Sequence, residues 1–235
     1  MGTVRQSAQS FLQRRDIDVR RYRRSIPARR QRILAYHAID LLVDVGANIG
    51  QYASAVRRSG YRGRILSIEP VREPFEELQA VATRDAMWEV RRTALGAEAG
   101  TVTMQVSKRS VFSSVLQPLG AANEASDGVH VVSHEDVPIT TLDELVPDSE
   151  RRIAVKIDVQ GFEREVLDGG PRVLANASVV EMELSPRPLY DKQMLMVEAI
   201  ERMEKLGLFL SLTENLWVNG PSGKARQFNG IFSRD

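Results

Sequence analysis

The stretch "LLVDVGANIGQY", residues 41–52, is an apolar run that breaks into a glycine turn and resumes with helix-like spacing. A strand that turns through glycines into a helix offers a ligand close backbone approach and free amides at the helix start. The spacing then narrows the ligand. A dinucleotide fingerprint needs glycines at 46, 48 and 51, whereas the chain has Gly46, Asn48 and Gln51. A phosphate loop needs Lys and Ser/Thr after its second glycine, and Gly50 is followed by Gln51 and Tyr52.

What remains is Asp44, Gly46, Asn48 and Gly50, with a second acid, Glu69, placed 23 residues beyond Gly46 at the end of the next apolar run. A carboxylate there can accept hydrogen bonds from both hydroxyls of an adenosine ribose. The plain structural reading is a tight turn and a solvent-facing acid. The ligand reading is an adenosine without a diphosphate, because an acid beside the turn repels phosphate. S-adenosylmethionine is such a ligand: its ammonium would lie near Asp44, its carboxylate at the turn amides and its ribose at Glu69.

Outward from the turn, short apolar runs alternate with longer amphipathic segments, the pattern of βαβ units around a mainly parallel sheet. "QYASAVRRSG" (51–60) reads as a helix stopped by Gly60, "RILSIEP" (64–70) as a strand, and "EPFEELQAVAT" (73–83) as a helix. "MWEVRRTALG" (87–96) reads as a third strand and "GTVTMQVS" (100–107) as an exposed antiparallel one, while 108–136 reads as irregular, a surface loop or substrate lid. "IAVKIDV" (153–159) is a buried strand, "FEREVLDGG" a short helix, and "ASVVEMEL" (177–184) a further strand. A helix at about 191–206 would bury Met194, Val197, Ile200, Met203 and Leu206, and two paired strands close the chain.

At 235 residues with 43% apolar and 27% charged content, the chain can bury a sizeable core. It has no cysteine, which excludes disulfides and thiolate chemistry. No apolar run has the length of a membrane span or the form of a secretory signal, so the expected location is cytoplasmic. The net charge of +1 conceals an Arg-rich extension at 1–32 with net +8, leaving −7 for the domain expected over 33–235. Such an arm can make peripheral contact with a membrane, but interleaved aromatics are too few for a nucleic-acid stacking platform.

"VDVGANIGQYA" (43–53), "ILSIEP" (65–70), "ALGAEAG" (94–100), "SSVL" (113–116) and above all "VKIDVQGFEREVLDGG" (155–170) resemble the FkbM family of S-adenosylmethionine-dependent O-methyltransferases. The resemblance implies an α/β, Rossmann-like class I methyltransferase fold: a mainly parallel seven-stranded sheet, helices on both faces, and a C-terminal antiparallel strand. It implies transfer of a methyl group to a hydroxyl of a small metabolite, a sugar or glycoside or a polyketide-type product. Ala47, Pro70, Ala94 and Ser114 fall in the matching segments and join the expected cofactor set of Asp44, Gly46, Asn48, Gly50, Glu69 and Asp158.

Lys156 and Asp158 are two apart on a strand and share a face, which is costly in an apolar strand unless the charges are paired or used. Either a Lys156–Asp158 or Lys156–Glu163 ion pair holds the turn, or Asp158 touches the cofactor's methionine end or the acceptor hydroxyl with Lys156 in support. Glu181 and Glu183 repeat the spacing, and the resemblance favours Glu183 as a site residue. Asp158 and Glu183 together could hold Mg²⁺. His134, four residues after His130, is a candidate general base, and Arg187 and Tyr190 could border the acceptor pocket. Two rivals remain, a nucleotide-dependent oxidoreductase and a non-catalytic nucleic-acid or membrane-surface protein using the basic arm.

Overall fold

A computed structural model of the protein describes residues 25–119, 130–218 and 223–235. Its frame is a seven-stranded sheet of β1 (Leu41–Val45), β2 (Arg64–Ile68), β3 (Trp88–Arg91), β7 (Ile153–Ile157), β8 (Ala177–Leu184), β9 (Phe209–Val218) and β10 (Ala225–Ser233). The order is β3-β2-β1-β7-β8-β10-β9, and β10 alone runs against its neighbours. The expected α/β class and antiparallel C-terminal strand are both present. A parallel sheet covered on both faces needs strands that are apolar throughout, and every residue of "LLVDV" and "IAVKI" is buried.

Two apolar layers sandwich the sheet. One packs Leu42, Ile65, Ala154, Val179 and Ile231 against helices α1 (Ile26–Tyr36), α2 (Gln51–Arg58) and α3 (Arg72–Ala82), through Leu34, Val56 and Leu78. The other packs Val43, Val155, Val180 and Phe232 against α5 (Glu163–Asp168), α6 (Pro171–Asn176) and α7 (Met196–Lys205). Between them in the chain, α4 (Leu142–Leu145) opens on a capping box, Thr141 with Glu144.

Four expectations change. "MWEVRRTALG" is not one strand: after β3 the chain leaves the main sheet, and β4 (Ala94–Leu95) joins a second sheet with β5 (Gly100–Ser107) and β6 (Val131–Thr140) in the order β4-β6-β5. The segment read as irregular contains a 3₁₀ turn at Ser110–Phe112 and the start of β6, whose pairing partner is β5, a long-range contact that local pattern does not reveal. Residues 120–129 of that segment lie outside the described residues. Val197 is 62% exposed on α7, and Ala199 takes its place in the core beside the expected Met203. A domain start at residue 33 falls inside α1, which begins on the Ser25 cap and docks as one unit; residues 1–24 of the arm lie outside the described residues.

Candidate functional site

Parallel register sets the floor of the site. Asp44 pairs with Ser67 on β2 and with Lys156 on β7, and Lys156 pairs with Glu181 on β8, so four polar side chains form a row on one face. Asp44 is fully buried; its Oδ1 lies 3.2 Å from Lys156 Nζ and its Oδ2 accepts from Ser67 Oγ at 3.4 Å. Burial pushes the Asp44 carboxyl up, and Lys156 opposes that. Burial likewise opposes the Lys156 charge, but Asp44 and Asp158 outweigh it and keep the ammonium above its ordinary value. Lys156 also donates to the Gly46 carbonyl at 3.0 Å. Thus Asp44 does not reach the cavity as expected of an ammonium ligand. It anchors Lys156, which in turn holds the glycine turn.

The turn passes directly against the end of β7. At Gly46, φ is +73°, and a Cβ would stand 1.9 Å from the Asp158 carbonyl oxygen, so the residue must be glycine on both counts. Ala47 continues the turn, Asn48 adopts φ +48°, and Gly50 opens α2. Glu69, at the end of β2, accepts from the Asn48 amide with Oε2 and from the Val71 amide with Oε1, each at 2.9 Å. Burial pushes its carboxyl up to about 7 against the pull of those two amides. Each oxygen retains acceptor capacity. Together these groups border a cavity of about 760 Å³ whose wall includes Gly46, Ala47, Asn48, Glu69, Pro70 and Ala94.

Asp158, Val159 and Gln160 line the same cavity from the end of β7. Asp158 Oδ2 is 3.6 Å from Lys156 Nζ, and its Oδ1 accepts from Gln160 Nε2 at 2.9 Å. Gln160 Nε2 also donates to Glu183 Oε2 at 3.1 Å, and Gln227 Nε2 donates to that oxygen at 2.7 Å. Burial, then Asp158 and Glu163, push the Glu183 carboxyl well above its ordinary range. Glu183 is therefore a partner behind Gln160 and not part of the cavity wall. Among the described residues no cluster of three acids or histidines could hold a metal, and Asp158 and Glu183 point their oxygens at amide N–H donors. These residues do not fit the expected Mg²⁺.

The α1 side of the cavity holds what the sequence reading missed. Arg30 belongs to the Arg-rich extension, yet it is buried and grips Glu181 through Nε and Nη2, both at 2.9 Å, while also contacting Glu214. Tyr52 donates to Glu181 at 2.7 Å, with the Arg30 guanidinium 4.9 Å from its ring centre. Burial opposes the Arg30 charge, and Glu181 with Tyr52 and Asp44 together more than offset it. The usable signal was the Ser25-Ile-Pro cap, which marks a helix start inside the basic stretch.

Two further residues fall elsewhere than expected. His134 lies exposed on β6 opposite Gln105, outside the cavity wall, because the second sheet turns that edge to solvent. Ser114 is buried and donates to the Gln160 carbonyl at 2.6 Å; its neighbour Ser113 lines the cavity instead. Tyr190, buried, donates to Gln160 Oε1 at 2.9 Å, while Arg187 is exposed.

A hexuronic acid methyltransferase, AglP, from Haloferax volcanii is 30% identical over 151 residues, 62% of this chain. The chain spans 56% of that relative's length. Among solved structures, an FkbM methyltransferase from Methylobacillus flagellatus KT is 15% identical with a TM-score of 0.48, over 82% of this chain and 43% of that one. A magnesium protoporphyrin IX methyltransferase from Synechocystis PCC 6803 is 9% identical with a TM-score of 0.47, over 89% and 79%. The family model described as the methyltransferase FkbM domain matches residues 44–209, from the buried acid of β1 to the start of β9, and the chain belongs to the FkbM methyltransferase family.

Proposed function

We propose that the protein is an S-adenosylmethionine-dependent O-methyltransferase acting on a hydroxyl of a small metabolite, foremost a sugar or glycoside. The observation that carries this is the convergence of the Gly46–Gly50 turn, the Glu69 carboxylate and Asp158 on one cavity of about 760 Å³, a volume suited to a cofactor together with a small acceptor. S-adenosylmethionine, when bound, supplies an electrophilic methyl group on a sulfonium. Glu69 has acceptor capacity for two ribose hydroxyls, and Pro70, Ala94 and Leu95 offer an apolar wall for adenine. Asp158, backed against the glycine turn, suits the ammonium of the methionine end.

Residues of the cavity supply alignment, which can account for much of the rate of an in-line transfer. The acceptor side, between Ile26 and Pro27 of α1 and Glu214 and Asn229 of the last strands, mixes apolar and polar walls as a polyol requires. The likeness to a hexuronic acid methyltransferase supports a glycosidic acceptor. Among the described residues no helix is long and apolar enough to cross a membrane.

Calorimetry with S-adenosylmethionine and S-adenosylhomocysteine tests the reading. Binding by the wild type, lost in Glu69→Ala, is expected; no wild-type binding, or unchanged binding by Glu69→Ala, would sink it. A radiolabelled methyl donor with a panel of glycosides then identifies the acceptor.

A further inference from the structure

Gln160 is held through both polar atoms of its side chain. It stands in the left-handed region at φ +54° without being glycine, a conformation that persists only where the surroundings impose it. Four hydrogen bonds impose it: Nε2 to Asp158 and to Glu183, Oε1 from Tyr190, and the main-chain carbonyl from Ser114. The orientation of its amide follows from chemistry, because the reversed amide would turn its oxygen toward two carboxylates. The Tyr190 hydroxyl donates to the one remaining acceptor and closes the alternative.

We propose that Gln160 is the positioning residue that aims the Asp158 carboxylate at the ammonium of the cofactor, by bridging Asp158 to Glu183 while Tyr190 locks its amide. This deepens the function proposed above and rests on it. Asp158 has two oxygens to restrain: Lys156 stands near Oδ2 and Gln160 holds Oδ1, so the carboxylate has a fixed plane. A single NH₂ group serves both acids with separate hydrogens. Asp158 and Glu183 therefore sit as neighbours bridged by one donor group.

The charged and titratable groups around this amide are Asp158, Glu183, Glu163, Lys156, Tyr190 and the buried Asp44. Glu163 accepts from the Val159 and Gly161 amides with Oε1, at 3.3 and 3.1 Å, and so faces away from the amide group of Gln160. Replacing Gln160 by Glu keeps shape and volume but removes the shared donor and puts a third acid between two others. One of them must then carry a proton near neutral pH, and cofactor binding must expel it.

The test is calorimetry of S-adenosylhomocysteine on the full chain from about pH 6 to about pH 9, in buffers of differing ionisation enthalpy. Gln160→Glu is expected to bind about 10- to 100-fold more weakly at neutral pH, to recover toward alkaline pH, and to release more protons on binding than the wild type, whose own release comes from Glu69. Tyr190→Phe, which removes only the hydroxyl, is expected to weaken binding severalfold with unchanged pH dependence. In an Asp158→Asn background the Gln160→Glu shift in pH profile should vanish. A wild type that binds, with a Gln160→Glu pH profile parallel to its own, overturns the inference while leaving the proposed function intact. A wild type that fails to bind overturns the function itself. Should Gln160→Glu not fold, an unaltered affinity in Tyr190→Phe overturns the inference.

Discussion

Substituting Gly46 by Ala isolates the closest approach in the site. A Cβ there would stand 1.9 Å from the Asp158 carbonyl oxygen and 2.9 Å from its carbon, far inside ordinary contact of about 3.5 Å. The clashing atom is main chain at the end of a central strand, pinned by the hydrogen bond from the Asp158 amide to the Val45 carbonyl at 3.1 Å, so it cannot rotate away. Overpacking of this kind costs about 1–3 kcal/mol, and holding Ala at φ +73° adds about 1–2 kcal/mol. The expected loss is about 2–5 kcal/mol out of a total of about 5–15 kcal/mol, or a fall in Tm of about 4–20 °C. Gly60→Ala is the control, since its φ is +108° but nothing lies within 4 Å of the added carbon. Urea and thermal unfolding of both variants measure the difference. A Gly46→Ala loss no larger than that of Gly60→Ala would refute the argument that the turn and β7 are in forced contact.

Other outcomes follow from the same geometry. Arg30→Ala strands Glu181 and Glu214 without their cation and should cost about 3–5 kcal/mol by urea unfolding, part of it regained when Glu181→Met is added. Burial raises both Glu69 and Glu163 to about 7, so each contributes stability that is present below the ordinary carboxyl value and lost as pH rises through about 7. Unfolding measured across that window should show stability falling toward neutral pH, with a visibly shallower fall in Glu163→Gln. The same shift means that S-adenosylhomocysteine should bind more weakly below about pH 7, where Glu69 takes up a proton, and Glu69→Gln should remove that dependence. His134→Ala should leave S-adenosylhomocysteine binding unchanged in calorimetry, because the side chain stands outside the cavity wall.

The central strands and the glycine turn were legible because their signals are local: buried parallel strands are apolar runs, and a missing side chain is visible as glycine. Glu69 could be placed by counting from Gly46, because one strand and one helix separate them. The second sheet was not legible, since β4 has two residues and takes its conformation from β6, more than forty positions onward. The partners of the charged residues were equally hidden. Lys156 reads as a companion of Asp158 and does stand 3.6 Å from it, but its nearer partner, Asp44 at 3.2 Å, comes from register across β1 and β7, and the helix that supplies Arg30 to Glu181 comes from a stretch whose composition suggests a solvated arm. Glu183 and Ser114 are expected at the ligand, yet each instead contacts Gln160, whose role no spacing rule announces.

The polar row of Ser67, Asp44, Lys156 and Glu181 also bears on how the chain finds its fold. Side chains alternate faces along a strand, so sliding β7 by one residue against β1 would swing Lys156 into the opposite apolar layer and leave Asp44 facing Val155 or Ile157. An uncompensated buried charge costs several kcal/mol, comparable to the stability of many whole domains. Apolar runs as uniform as "LLVDV" and "IAVKI" could otherwise slide past one another at little penalty. The acid and the lysine act as an alignment key: they admit one pairing of the two strands, and that pairing sets Gly46 against Asp158 before any ligand arrives.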